Sequence, residues 1–136
     1  MTYLRFDAAS LPAQVGTEGP HGSRMSDGRS GYISYGPYFK GDPGTYVAGF
    51  YIRRAGHPTG GPLAIDVCGA GGREFARRSI PLSDLLDDTL ALVHVNFALH
   101  EPSESIEVRL FVESTATIEL QSLVIFKTPA RYWGGI

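Results

Sequence analysis

The sequence predicts an all-β protein, an antiparallel β-sandwich of about eight strands in a single domain spanning 1–136. Three observations carry this. Apolar and polar residues alternate with period two through five long segments, as they do where successive side chains point to opposite faces of a strand. Glycine (17) and proline (9) are both abundant, which supplies the turns that many short strands need. Only one stretch, 81–88, carries a helical signal.

In chain order, 3–7 and 31–36 read as short strands, and GDPG (41–44) reads as a turn. TYVAGFYIRR (45–54) places Tyr46, Ala48, Phe50 and Ile52 on one face and Val47, Gly49, Tyr51 and Arg53 on the other. PLAIDVC (62–68) sends Leu63, Ile65 and Val67 one way, with Ala64, Asp66 and Cys68 opposite. A further short strand is expected at 74–80, and PLSDLLDD (81–88) is expected to make a single helical turn. LALVHVNFAL (90–99) separates Val93, Val95, Phe97 and Leu99 from Leu92, His94, Asn96 and Ala98. SIEVRLFVE (105–113) turns Ile106, Val108, Leu110 and Val112 inward, leaving Glu107, Arg109, Phe111 and Glu113 outside. TIELQSLVIF (117–126) is the last strand, and its alternation slips at Gln121-Ser122, the mark of a β-bulge.

LAIDVCGAGGR (63–73) admits two readings, because a strand followed by a glycine-rich turn also opens many nucleotide-binding units. Such a site needs a helix after the turn, its N-terminus facing the ligand, within parallel βαβ repeats. Here REFARRSI follows and Pro81 ends it, too short for a crossover helix, and long strands come next. Gly69, Gly71 and Gly72 instead suit a hairpin bend that needs positive φ.

Twelve basic residues stand against fourteen acidic ones, a net charge of −2, so there is no basic footprint for nucleic acid. No apolar run approaches the roughly 20 residues a membrane-spanning helix requires, and MTYLRFDAASLP lacks the basic and apolar regions of a secretory leader. The single cysteine, Cys68, excludes an intrachain disulfide. That fits a cytoplasmic protein and equally one exported by a non-classical route.

The succession QVG (14–16), GYISYGPY (31–38), PGTYVAGFYI (43–52), LAIDVC (63–68), VNFAL (95–99), IEVRLFV (106–112) and IELQSLVIF (118–126) resembles the galactose-binding-domain-like carbohydrate-binding modules. It is most similar to bacterial versions that occur alone as small lectins or appended to glycosyltransferases. The resemblance covers about the whole chain. It implies a jelly-roll sandwich, a non-catalytic sugar-binding role with no cofactor, and calcium as the likeliest structural metal. Self-association, a homodimer first, is expected because it would give weak single sites avidity.

A sugar site wants hydroxyl-bonding side chains and an aromatic ring under the C–H face. The long segment 16–30, with YGPYFKGD (35–42) beside it, supplies His21, Arg24, Asp27, Arg29, Tyr35, Tyr38 and Asp42, and long loops are often functional. The turn at 69–74 adds Arg73 and Glu74. The alternative is a platform on the polar sheet face built from Asp66, His94, Asn96, Glu107 and Arg109. Against both stands the ordinary reading of solvated loops and one wet sheet face. Tyr132 and Trp133 in the tail suit packing or a dimer contact, with a sugar platform as the alternative.

Signals for catalysis are missing. His21, His57, His94 and His100 show no HxH or HExxH spacing, no GxSxG elbow occurs, and the acids are scattered. Asp7, Asp27 and Asp42 are the oxygen donors nearest to a calcium set, without a DxDxD-like loop. The competing functional class is a structural or protein-interaction sandwich that binds no sugar. A hydrolase with a dispersed carboxylate pair comes third.

Overall fold

The computed structural model describes residues 3–57 and 59–129, and two antiparallel sheets stack face to face within it. The strands are β1 (Tyr3–Asp7), β2 (Thr17–Glu18), β3 (Arg24–Met25), β4 (Gly31–Ser34), β5 (Pro37–Gly41), β6 (Gly44–Arg54), β7 (Leu63–Cys68), β8 (Glu74–Ile80), β9 (Ala91–Leu99), β10 (Ser103–Val112) and β11 (Ile118–Lys127). The first sheet runs β2-β3-β11-β6-β9, with β1 also paired to β11. The second runs β4-β10-β7-β8, with β5 also paired to β10.

The alternation read from the sequence decides the core. Tyr46, Ala48, Phe50 and Ile52 of β6 and Val93, Val95 and Phe97 of β9 are buried from the first sheet. Leu63, Ile65 and Val67 of β7 and Ile106, Val108, Leu110 and Val112 of β10 meet them from the second. Burying each large apolar side chain contributes about 1.5–3 kcal/mol before chain entropy is counted. The expected slip in β11 is a register shift between Leu120 and Ser122. Gln121 is the extra residue, so Ile118 and Leu120 before it and Leu123 and Ile125 after it all stay buried.

The glycine-rich stretch is a hairpin. β7 and β8 pair antiparallel through a single 3-10 turn, Ala70–Gly72. Gly71 (φ 74°) and Gly72 (φ 77°) take left-handed backbone that other residues adopt at a cost. Residues 74–80 are a strand, as expected, and not a helix facing a cofactor. The helical signal at 81–88 reduces to one 3-10 turn, Leu82–Asp84, which tucks Leu82 and Leu85 into the core.

Two expectations need correction. The described residues hold eleven strands rather than about eight, and segment 16–30 is not strandless. It contains β2 and β3, joined around a 3-10 turn at Pro20–Gly22, and β3 pairs with Glu119 and Leu120 of β11. Two-residue strands show no periodicity; their pairing comes from the half of β11 that β1 leaves uncovered. The strand expected at 31–36 also ends early, at Ser34.

Candidate functional site

The outer face of the second sheet gathers charge and aromatic rings in cross-strand rows. Asp66 of β7 lies between Arg109 of β10 and Arg77 of β8 in the ladder. The Asp66 carboxylate is 4% exposed. Arg109 grips it with both arms: Nε donates to Oδ1 at 2.9 Å and Nη2 to Oδ2 at 2.5 Å. Arg77 Nη2 stands 3.5 Å from Oδ2 while its Nε donates to Glu74 Oε1 at 2.9 Å. The hydrogen bond to Asp66 pushes the Arg109 pKa upward, and that to Glu74 does the same for Arg77, so both guanidinium groups stay charged. A fork-to-fork pair of this kind is rigid as well as strong.

The next row is aromatic. Tyr32 of β4 pairs with Phe111 of β10, and their rings meet edge to face at 5.4 Å. The Arg109 guanidinium lies 4.5 Å from the Tyr32 ring centre, so one cation is held by a carboxylate and by a π face together. Tyr32 is itself fixed by the chain before it. Its carbonyl accepts from Gln14 N, and its own N–H donates to Gln14 Oε1. Tyr32, Ala64, Asp66, Arg77, Phe111 and Glu113 line a cleft of about 360 Å³.

On the other side of the charged row lies Glu107. Cys68 Sγ donates to its Oε2 at 3.8 Å, and the Tyr38 hydroxyl faces the same carboxylate. Desolvation and then the Glu107 charge raise the Tyr38 pKa; burial raises that of the Cys68 thiol. Tyr38 is 53% exposed and sits at φ 67°.

The residues expected from the sequence separate on this frame. Tyr38, Asp66, Glu107 and Arg109 share the outer face of the second sheet. His94 and Asn96 do not join them, which corrects the single polar platform. β9 belongs to the first sheet, and its outward residues look away from β7 and β10. His94 and Asn96 instead line a separate apolar cleft of about 410 Å³ with Val47, Leu92, Phe126, Thr128 and Pro129.

Several of the loop residues are engaged within the molecule. Arg24 is half-buried, and its Nη2 donates to the carbonyls of Ala8 and Leu11 at 3.4 and 3.2 Å, which fastens the 3-10 turn at Ala8–Ser10. Asp27 accepts from Gly16 N and is bridged by Arg29. His21 is exposed at φ 56° in the 3-10 turn between β2 and β3. Tyr35 N donates to the Pro12 carbonyl, and the Asp42 carbonyl accepts from Tyr46 Oη at 2.6 Å. Arg73 lies over Phe75 and bridges Glu101, while Glu74 serves Arg77. Among the described residues no three His, Cys, Asp or Glu side chains converge on a metal position, so Asp7, Asp27 and Asp42 do not form a calcium set. Tyr132 and Trp133 lie outside the described residues.

Sequence reasoning missed Tyr32, Arg77 and the role of Phe111. Phe111 carried a signal, an aromatic ring on the outward register of β10. Tyr32 and Arg77 carried none, because their place beside Arg109 and Asp66 follows from which strands become neighbours.

The two stacked sheets make the architecture of the carbohydrate-binding-module sandwiches. The C-terminal CBM6 of LamC, a marine laminarinase from Zobellia galactanivorans, superposes with a TM-score of 0.61 at 14% identity, over 93% of this chain and 100% of that one. CBM6cm-2 from Cellvibrio mixtus lichenase 5A, solved with cellotriose, gives 0.61 at 16%, over 93% and 98%. The xylan-binding module CBM86 from Roseburia intestinalis gives 0.55 at 13%, over 94% and 97%. At these identities the likeness establishes the fold. No family model matches the chain, and no curated protein matches its sequence.

Proposed function

We propose that this chain is a non-catalytic carbohydrate-binding module of the galactose-binding-domain-like type, and that it binds sugar on the outer face of the second sheet. The observation that carries the reading is Arg109, locked on Asp66 and stacked on Tyr32 next to the Phe111 ring. Arg109 and Arg77 offer fixed N–H donors for ring hydroxyls, and Glu107 and Glu113 offer acceptors. Phe111 and the open part of Tyr32 offer an apolar surface for a C–H face. Because Asp66 holds Arg109 in advance, little ordering remains to be done on binding. The structures of like fold are in several cases named for the sugars they bind, which agrees with this assignment.

The test is a glycan array followed by titration calorimetry. Tyr32→Ala and Arg109→Ala are expected to abolish or weaken binding at least tenfold, with an unaltered β-sheet circular dichroism spectrum. His21→Ala and Asp42→Ala are expected to bind like the parent. A silent array with well-folded protein would sink the proposal.

A second reading, an accessory sandwich that makes protein contacts, has one observation in its favour. The cleft on the outer face of the first sheet is walled by Val47, Leu92 and Phe126, with no Asp, Glu, Lys or Arg among its described lining residues, and Leu92 is 38% exposed. The homodimer expected from the sequence, a source of avidity for weak single sites, belongs instead to the sugar-binding reading. Light scattering on the purified chain distinguishes a dimer from a monomer.

A further inference from the structure

The outer face of the second sheet carries a second, separate aromatic position that the cleft does not include. Tyr38 is exposed yet held at φ 67°, in the left-handed region where a bulky side chain is disfavoured. Its ring lies outside the core between the sheets, so filling that core does not account for the strain. Strained backbone that the surrounding structure maintains clusters at binding sites. The ring lies beside Glu107, four residues along β10 from Phe111. At the rise of an extended strand that separation is about 13 Å. Between the two positions runs the fixed row of Arg109, Asp66 and Arg77.

Resting on the sugar-binding reading above, we infer that Tyr38 is a second sugar platform, and that the ligand is an oligosaccharide lying along β10 from Phe111 to Tyr38. One pyranose ring cannot touch both ends of a 13 Å track. An unbranched chain can, with its middle ring over the charged row and an outer ring on each aromatic. The Cys68 thiol donates to Glu107 Oε2 and the Tyr38 hydroxyl faces the same carboxylate, which leaves it an acceptor beside the track.

The experiment uses cello-, xylo-, laminari- and manno-oligosaccharides of one to six units, titrated calorimetrically into the parent, Tyr38→Gly and Tyr38→Trp. Glycine suits φ 67°, so Tyr38→Gly keeps the fold, with a Tm equal to or above the parent's. In at least one series the parent's affinity is expected to rise at least tenfold from one unit to three or four. Tyr38→Gly should remove most of that gain and leave binding of the shortest ligand unchanged, and Tyr38→Trp should keep the gain. A variant at least as stable as the parent that has lost only the long-chain gain is not what a structural tyrosine would produce. If single units bind as tightly as hexamers, or if Tyr38→Gly binds hexamers like the parent, the Tyr38 platform is overturned while sugar binding stands. If no series binds, the sugar-binding reading fails for these chains and the platform with it.

Discussion

At the residue scale, charged side chains here act mostly as fasteners. Asp27 accepts from the Arg29 side chain and from the Gly16 N–H, and these bonds lower its pKa from 3.8 to about 2. A carboxyl whose folded pKa lies below its unfolded value adds stability above the unfolded pKa, and loses it as pH falls through the folded one. Asp27→Asn is therefore expected to lower the urea midpoint at pH 6, with the gap to the parent narrowing as pH drops from about 4 towards 2. A gap independent of pH would show that Asp27 acts by shape and not by charge. Asp66 differs in kind: it is buried and binds Arg109 through both oxygens. Asp66→Ala strands that guanidinium, and a loss of about 2–4 kcal/mol in chemical denaturation is expected, discounted because Arg109 is 26% exposed.

At the element scale, β6 shows how much pattern alone can decide. Its inward residues were legible because alternation ran unbroken for ten residues. Gly49 sits on its outer side, where an added Cβ would lie 2.7 Å from Leu92 Cδ1, 3.0 Å from His94 Cβ and 3.1 Å from the Val93 carbonyl. The Leu92 tip can swing aside, but the backbone of β9 cannot. Gly49→Val is expected to cost about 1–3 kcal/mol by overpacking, read as a fall in Tm. β11 was legible down to its bulge, since Gln121-Ser122 broke the alternation in the sequence itself. β2 and β3 were not legible, because two residues carry no period and the β11 partners that anchor β3 are almost a hundred residues away.

At the scale of the whole molecule, one core between the sheets ties both faces together. Phe50 is fully buried in it from β6. Phe50→Ala is expected to cost about 3–5 kcal/mol, and the cavity should lower the unfolding midpoint seen by tyrosine fluorescence and by circular dichroism alike. Two separate transitions would show that the sheets do not unfold as a unit. The same stacking sets the two candidate surfaces back to back. The ring-and-guanidinium face lies outside the second sheet, and the apolar cleft with His94 and Asn96 lies outside the first. A sugar bound at the proposed site would therefore not touch the cleft on the first sheet.

What the sequence determined by itself was local: which residues of each long strand face inward, where turns fall, where β11 bulges, and that the glycine-rich stretch bends a hairpin. Those follow from side-chain alternation and backbone sterics, which act over a few residues. It also named Asp66, Glu107, Arg109 and Tyr38 as candidates, since polar groups on outward registers can be read directly. Tertiary structure alone decided which strands lie side by side. That choice sent His94 and Asn96 to the opposite face, engaged Arg24 and Asp27 in holding loops, and brought Tyr32 and Arg77 to Arg109 and Asp66. The reason is physical: strand neighbours are chosen by burying apolar faces across the whole chain, and period two is identical in strands of either sheet.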